Sequence, residues 1–300
     1  MHAAVHAAAH AAIFDDELTH AMTTPSLHIQ RLSGAIGAEI GGIDLSQALK
    51  AETVAQIRAV WLQHQVIFFR DQHLSDAQFM TFARAMGQPI EYPFVKGLPE
   101  WPEIIEVKKL ENERTNFGGI WHTDTSYLER PPSASMLLAR EVPAFGGDTE
   151  FASMYAAWEA LSEGLQRTLR PLRAVASSAK ADVTKTREDR IKDAPTAQSK
   201  KELVAEHPVV RTHPETGRKS LYVNFGHTAR FAGMTDEESK PLLDYLFAHQ
   251  AKPEFTCRFS WQAGDIALWD NRCVLHNPVN DYHGHKRLMH RVTLKGERPV

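Results

Sequence analysis

Residues 265–294, DIALWDNRCVLHNPVNDYHGHKRLMHRVTL, hold two strand-like runs separated by a turn-rich middle. Asp265–Trp269 and Leu288–Leu294 are short and apolar enough to be strands, and a WDN turn with an apolar run leads to His276. Working back from this end, similar short runs recur at Leu27–Leu32, Val66–Phe69, Ile104–Val107, Ser133–Arg140, Asp148–Ala152, His207–Thr212, Ser220–Asn224 and Glu254–Trp261. Helical spacing predicts helices over Ala51–His64, from a Ser75 cap to about Met86, over Tyr155–Thr168 and over Thr235–Gln250. Many short strands with few helices predict a mainly β chain, a double-sheet jelly roll with helices packed outside.

Composition narrows the function. Among 300 residues, 34 Lys+Arg face 37 Asp+Glu, a formal charge of -3 that argues against nucleic acid as a partner. No apolar run is long enough for a membrane span. Two cysteines, Cys257 and Cys273, are too few for a disulfide framework and fit a reducing, cytoplasmic setting. The Ala- and His-rich stretch 1–24 is expected to be a disordered extension before a single domain at 25–300. Its His2, His6 and His10 would share one helix face if a helix formed. The polar stretch 177–201 is expected to be a loop or lid within that domain.

Sixteen histidines prompt a search for metal ligands. In Trp121-His122-Thr123-Asp124, read as a strand, His122 and Asp124 would point to one face. A third ligand is expected at His276, because His283 and His285 lie in an exposed-looking YHGHK turn. Two histidines and one carboxylate leave three positions of an octahedral ion open, which suits Fe(II) that must bind a cosubstrate and O2 together. A zinc hydrolase on the same ligands is the alternative chemistry. A 2-oxo acid would chelate such an iron and need a cation for its far carboxylate. Arg287 and Arg291 share strand parity and could both face inward, with a hydroxyl at Thr149.

These residues together resemble the 2-oxoglutarate-dependent taurine/2,4-dichlorophenoxyacetate dioxygenase family. His122 and Asp124 match its HxD, Thr149 follows 25 positions later, His276 is the distal histidine, and Arg287 comes 11 residues after it. Flanking segments GAEIGGIDL, VIFFRDQ, WHTDTSYLERPP and WDNRCVLH also look like the family, so the resemblance spans about Leu27 to Pro299. It implies a double-stranded β-helix, Fe(II) on His122, Asp124 and His276, and 2-oxoglutarate on Arg287 and Thr149. It further implies O2 as cosubstrate, release of succinate and CO2, and a dimer or tetramer.

The resemblance also bears on substrate. Relatives oxidise small organic anions: sulfonates, alkyl sulfates and aryloxyalkanoates. Arg291 falls where members place an arginine near both the cosubstrate and the substrate's anionic head. Taurine-oxidising members use a histidine where this chain has Tyr92, an asparagine near Gly118, and a phenylalanine at His227. These departures, with Tyr92, Phe94 and Phe225 available as an aromatic wall, point to a larger and less polar anion than taurine. Taurine itself remains the alternative substrate.

Overall fold

The computed structural model describes residues 27–180 and 202–300. The extension at 1–24, its histidine stripe, and the expected lid beyond Lys180 lie outside the described residues. The chain is mainly β. Its N-terminal part runs β1 (His28–Arg31), β2 (Ala38–Gly41), α1 (Ala51–His64), β3 (Val66–Phe69), α2 (Asp76–Met86), β4 (Pro89–Ile90) and β5 (Ile105–Lys109). The middle comprises β6 (Ala134–Glu141), β7 (Thr149–Ser153), α3 (Met154–Glu159), α4 (Glu163–Leu169), β8 (Arg173–Ser177), β9 (Val204–Pro208), β10 (Val210–Thr212), β11 (Lys219–Leu221) and β12 (Thr228–Phe231). The last part is α5 (Asp236–Gln250), β13 (Thr256–Phe259), β14 (Ile266–Asp270), β15 (Val274–Pro278) and β16 (Arg287–Leu294).

Eight strands make one large sheet in the order β1-β2-β3-β14-β6-β16-β4, with β5 also on β16. A smaller sheet, β13-β7-β15, packs against it. Alternation explains how the large sheet is buried on both faces. Ile67, Phe69, Met136, Leu138, Leu268 and Val292 meet the apolar sides of α1 and α2. Their strand neighbours Phe68, Leu137, Trp269 and Met289 meet Phe151, Phe259 and Val274 of the small sheet. Phe68 stacks on Phe259 with ring centroids 4.0 Å apart and joins the two sheets directly.

The helix starts follow their sequence signals. Ser75 and Thr235 each form a reciprocal capping box, with Gln78 and Glu238. Three expected elements differ in detail. The single helix at 155–168 is two, α3 and α4, because Ser162 caps a fresh start by accepting the Leu165 N–H. The strand at 207–212 divides into β9 and β10, which pair with different partners. The strand at 254–261 begins with a tight turn at Pro253–Phe255.

Candidate active site

His122 is not in a strand, contrary to the expectation for 122–124. It makes one isolated antiparallel bridge with His276 of β15. The His122 N–H donates to the His276 carbonyl at 3.0 Å, and the His276 N–H donates back at 2.8 Å. Residues directly opposite in such a pair share a face, so the two imidazoles lie side by side, 4.1 Å between centroids. The chain then turns, with Thr125 at φ 42°. The turn rather than strand parity brings Asp124 Oδ1 to 3.8 Å from His122 Nε2. The ligand atoms of His122, Asp124 and His276 all lie within 4.8 Å of one another, and all three residues are buried.

The surroundings prepare these groups as metal donors. His122 Nδ1 sits 2.7 Å from the Ile120 carbonyl, which fixes the proton there and leaves Nε2 as a lone pair. Gly118, at φ 68°, lets the loop pass over the ring, since a Cβ there would lie 2.9 Å from His122 Cε1. Burial keeps His122 and His276 below the ordinary histidine range despite the opposing Asp124 carboxylate, so both are neutral near pH 7. Burial works to raise the Asp124 pKa, but the Arg291 guanidinium, with the Ser135 hydroxyl, overcomes it, and the carboxyl stays ionised. Two neutral imidazoles and a carboxylate fit a divalent ion.

Two arginines of β16 face the same cavity, as their parity predicted. Arg287 and Arg291 are 5% and 4% exposed, yet Nε and Nη2 of each have no hydrogen-bond partner among the described residues. A buried guanidinium left in that state is costly, and an anion resolves it. Thr149, at the start of β7, lines the cavity with Arg287. Its Oγ1 accepts the Trp261 indole N–H at 3.0 Å, so its own proton is free to donate. Arg291 Nη1 lies 3.3 Å from Asp124 Oδ1, and its guanidinium rests 4.5 Å over the Tyr92 ring and 5.4 Å from that of Phe117.

Tyr92, Phe94 and Tyr127 form an aromatic run beside Arg291, with centroids 5.4 and 5.6 Å apart. Phe225 does not join it. Its ring is half exposed against Phe247, in a surface depression also lined by Ile120 and Trp121. The reason is that the loop backbone, not the ring, covers the ligand: a Cβ on Gly226 would lie 2.9 Å from His122 Cβ. His227 does turn inward, with Nδ1 3.0 Å from Ser126 Oγ and its ring 4.9 Å from Tyr127. Tyr127, Phe117 and buried Lys109 also belong to this region and escaped the sequence reading. Only Tyr127 carried a local signal, three residues after Asp124.

Burial, and then His122, pushes the His227 pKa down to about 3. An unfolded histidine titrates near 6.5, so the unfolded chain holds the extra proton between those values. This contribution therefore costs nothing above about pH 6.5 and lowers stability as pH falls toward about 3. At about pH 5 the cost is roughly 2 kcal/mol. Chemical denaturation of the wild type and His227→Phe should show the variant losing about 2 kcal/mol less between about pH 7.5 and about pH 5. Equal losses would mean that His227 is protonated in the folded chain.

A second buried group, His213, Asp270 and Cys273, also brings ligand atoms together. The Asp270 and His213 ligand atoms are already used. Arg272 and His213 occupy the Asp270 oxygens, and His213 Nδ1 accepts the N–H groups of Glu215 and Thr216. It is a closed structural network.

The model of the taurine catabolism dioxygenase TauD, TfdA family matches residues 28–293. The chain belongs to that family. An α-ketoglutarate-dependent sulfate ester dioxygenase of Pseudomonas putida is 38% identical over 91% of each chain. An alkylsulfatase of Acinetobacter baylyi is 38% identical over 91% of this chain and 86% of its own. An α-ketoglutarate-dependent 2,4-dichlorophenoxyacetate dioxygenase of Cupriavidus pinatubonensis is 34% identical over 80% and 87%. Among solved structures, a taurine dioxygenase from Burkholderia xenovorans superposes with a TM-score of 0.78 at 36% identity, covering 92% of this chain and 93% of that one. As a TauD/TfdA member the chain is a 2-oxoglutarate-dependent dioxygenase, an oxidoreductase that uses Fe(II), 2-oxoglutarate and O2. No helix among the described residues is long and apolar enough to cross a membrane.

Proposed function

We propose that this dioxygenase oxidises a C–H bond of a small organic anion, a sulfate ester or aryloxyalkanoate before taurine, with His122, Asp124 and His276 holding Fe(II). The observation that carries this reading is the pair of buried guanidinium groups, Arg287 and Arg291, which line one cavity with His122 and His276, while Asp124 lies against the two histidines and Arg291. Bound Fe(II) and O2 supply the oxidising chemistry, in which 2-oxoglutarate gives succinate and CO2 as the substrate carbon gains a hydroxyl. Arg287 and the free Thr149 hydroxyl proton bind the far carboxylate of 2-oxoglutarate and set its orientation. Arg291 holds the substrate's anionic head while Tyr92, Phe94 and Tyr127 cover its body and exclude water. A carbon hydroxylated next to a sulfate or aryl ether oxygen then collapses to a carbonyl and releases the sulfate or phenol. The two packed sheets around this cavity are read as the double-stranded β-helix, and the subunits as a dimer or tetramer.

Taurine needs hydrogen bonds at both ends, and Tyr92 and Gly118 stand where taurine-oxidising members carry histidine and asparagine. A lost hydrogen bond to a charged group costs about 1.5–3 kcal/mol, so kcat/KM for a medium-chain alkyl sulfate should exceed that for taurine by about tenfold or more. Substrate-dependent succinate release across alkyl sulfates, phenoxyalkanoates and taurine measures this. A tenfold advantage for taurine would reverse the assignment.

A further inference from the structure

A chain of buried polar groups serves the Asp124 carboxylate. Ser135 of β6 donates its hydroxyl to Asp124 Oδ2 at 2.5 Å. Asn271, in the turn between β14 and β15, donates from Nδ2 to Ser135 Oγ at 2.9 Å. Trp269 Nε1 donates to Asn271 Oδ1 at 2.9 Å, and Thr123 Oγ1 donates to the Asn271 carbonyl at 2.9 Å. Ser135 is 0% exposed, and Asn271 and Trp269 are 1%.

The chemistry of these groups fixes the direction of the chain. An indole N–H only donates, so Asn271 must present its oxygen to Trp269 and its amide nitrogen to Ser135. With that lone pair used, the single Ser135 proton goes to Asp124. Asp124 Oδ2 is therefore engaged from the β6 side, while Oδ1 faces His122 Nε2 and Arg291.

We propose that Ser135, oriented by Asn271, is a positioning residue that restricts Asp124 to one-oxygen coordination of the metal. The inference rests on the metal-ligand reading above. A carboxylate can offer a metal one oxygen or two. A second oxygen from Asp124 would fill one of the three positions that 2-oxoglutarate and O2 require. Ser135 thus protects an open position rather than the affinity for the ion.

Anaerobic titrations with Co(II) and with Fe(II) plus 2-oxoglutarate, alongside succinate formation, test this in the full chain. Ser135→Ala should bind Co(II) within about threefold of wild type, yet bind 2-oxoglutarate about tenfold more weakly and turn over about 10–100-fold more slowly. The Co(II) absorption spectrum should also change as the carboxylate becomes bidentate. Ser135→Thr, which keeps the hydroxyl, should recover most of the 2-oxoglutarate affinity. If Ser135→Ala melts too readily to assay, Ser135→Cys, with a weaker donor of similar shape, is expected to show the same pattern in smaller measure. Wild-type 2-oxoglutarate affinity and turnover in the Ala or Cys variant would overturn the proposal. So would a Co(II) loss as large as that of Asp124→Ala, because Ser135 would then support binding itself. Wild-type Co(II) affinity in Asp124→Ala would instead overturn the metal-ligand reading.

Discussion

Asp124→Ala is expected to fold, to bind divalent metal on the order of a hundredfold or more weakly, and to form no measurable succinate. Loss of an outer partner alone typically costs about 10–100-fold in metal affinity or activity, and Asp124 is proposed as a direct ligand. It is also the one carboxylate among the three clustered donors, and it offsets the charge of Arg291, 3.3 Å away. Its removal leaves two neutral imidazoles facing a guanidinium, an environment that repels a cation. Asp124→Asn separates charge from shape: it keeps the side-chain volume without the negative charge and should still lose most of the affinity. Isothermal titration with Co(II), succinate assay and a thermal melt measure the three parts. Near-normal succinate formation in a folded Asp124→Ala protein would remove the ligand assignment.

Arg287→Ala is expected to weaken 2-oxoglutarate by a factor of about 30 or more, because truncating one partner of a buried charged pair costs about 2–5 kcal/mol. The geometry supports the high side of that range. Arg287 is 5% exposed, burial lowers its pKa, and its Nε and Nη2 have no partner among the described residues, so the anion is their natural complement. Gly147, at φ 70°, leaves room for the side chain, since a Cβ there would lie 3.3 Å from Arg287 Cδ. Arg287→Lys should recover only part of the affinity, because an ammonium cannot reproduce the two-pronged contact. The stabilisation produced by excess 2-oxoglutarate in a thermal melt should shrink by about 2 kcal/mol, because it follows the logarithm of the affinity. An unchanged affinity in the alanine variant would move the anchor to Arg291.

Much of the fold was legible in the sequence because its signals are local. Apolar runs such as VIFF at Val66–Phe69 mark strands whose two faces are both buried. Ser75 and Thr235 mark helix starts that the capping boxes reproduce. The split of the helix after Glu159 was less visible, since Ser162 is as compatible with a helix interior as with a cap until Leu165 donates to it. The spacing of His122, Asp124, Thr149, His276 and Arg287 named residues that the fold gathers, four of them lining one cavity and Asp124 clustered with the two histidines, and the strand parity of Arg287 and Arg291 gave their shared direction.

What the sequence determined by itself was the cast of ionisable groups and the order of elements that carry them, because residue type and periodicity are properties of short windows. The tertiary structure decided how those groups meet. The His122–His276 bridge spans 154 positions, and it replaces the strand that WHTD alone suggested. Phe225 and His227, two residues apart, go to opposite fates because Gly226 lays its backbone on His122. Ser135 has no motif, and Asn271 is marked only as part of the WDN turn; a serine and an asparagine become an oriented relay only when β6 and the turn after β14 enclose them away from water. In that dry setting each donor must find its one acceptor, and long-range packing sets which acceptor is in reach.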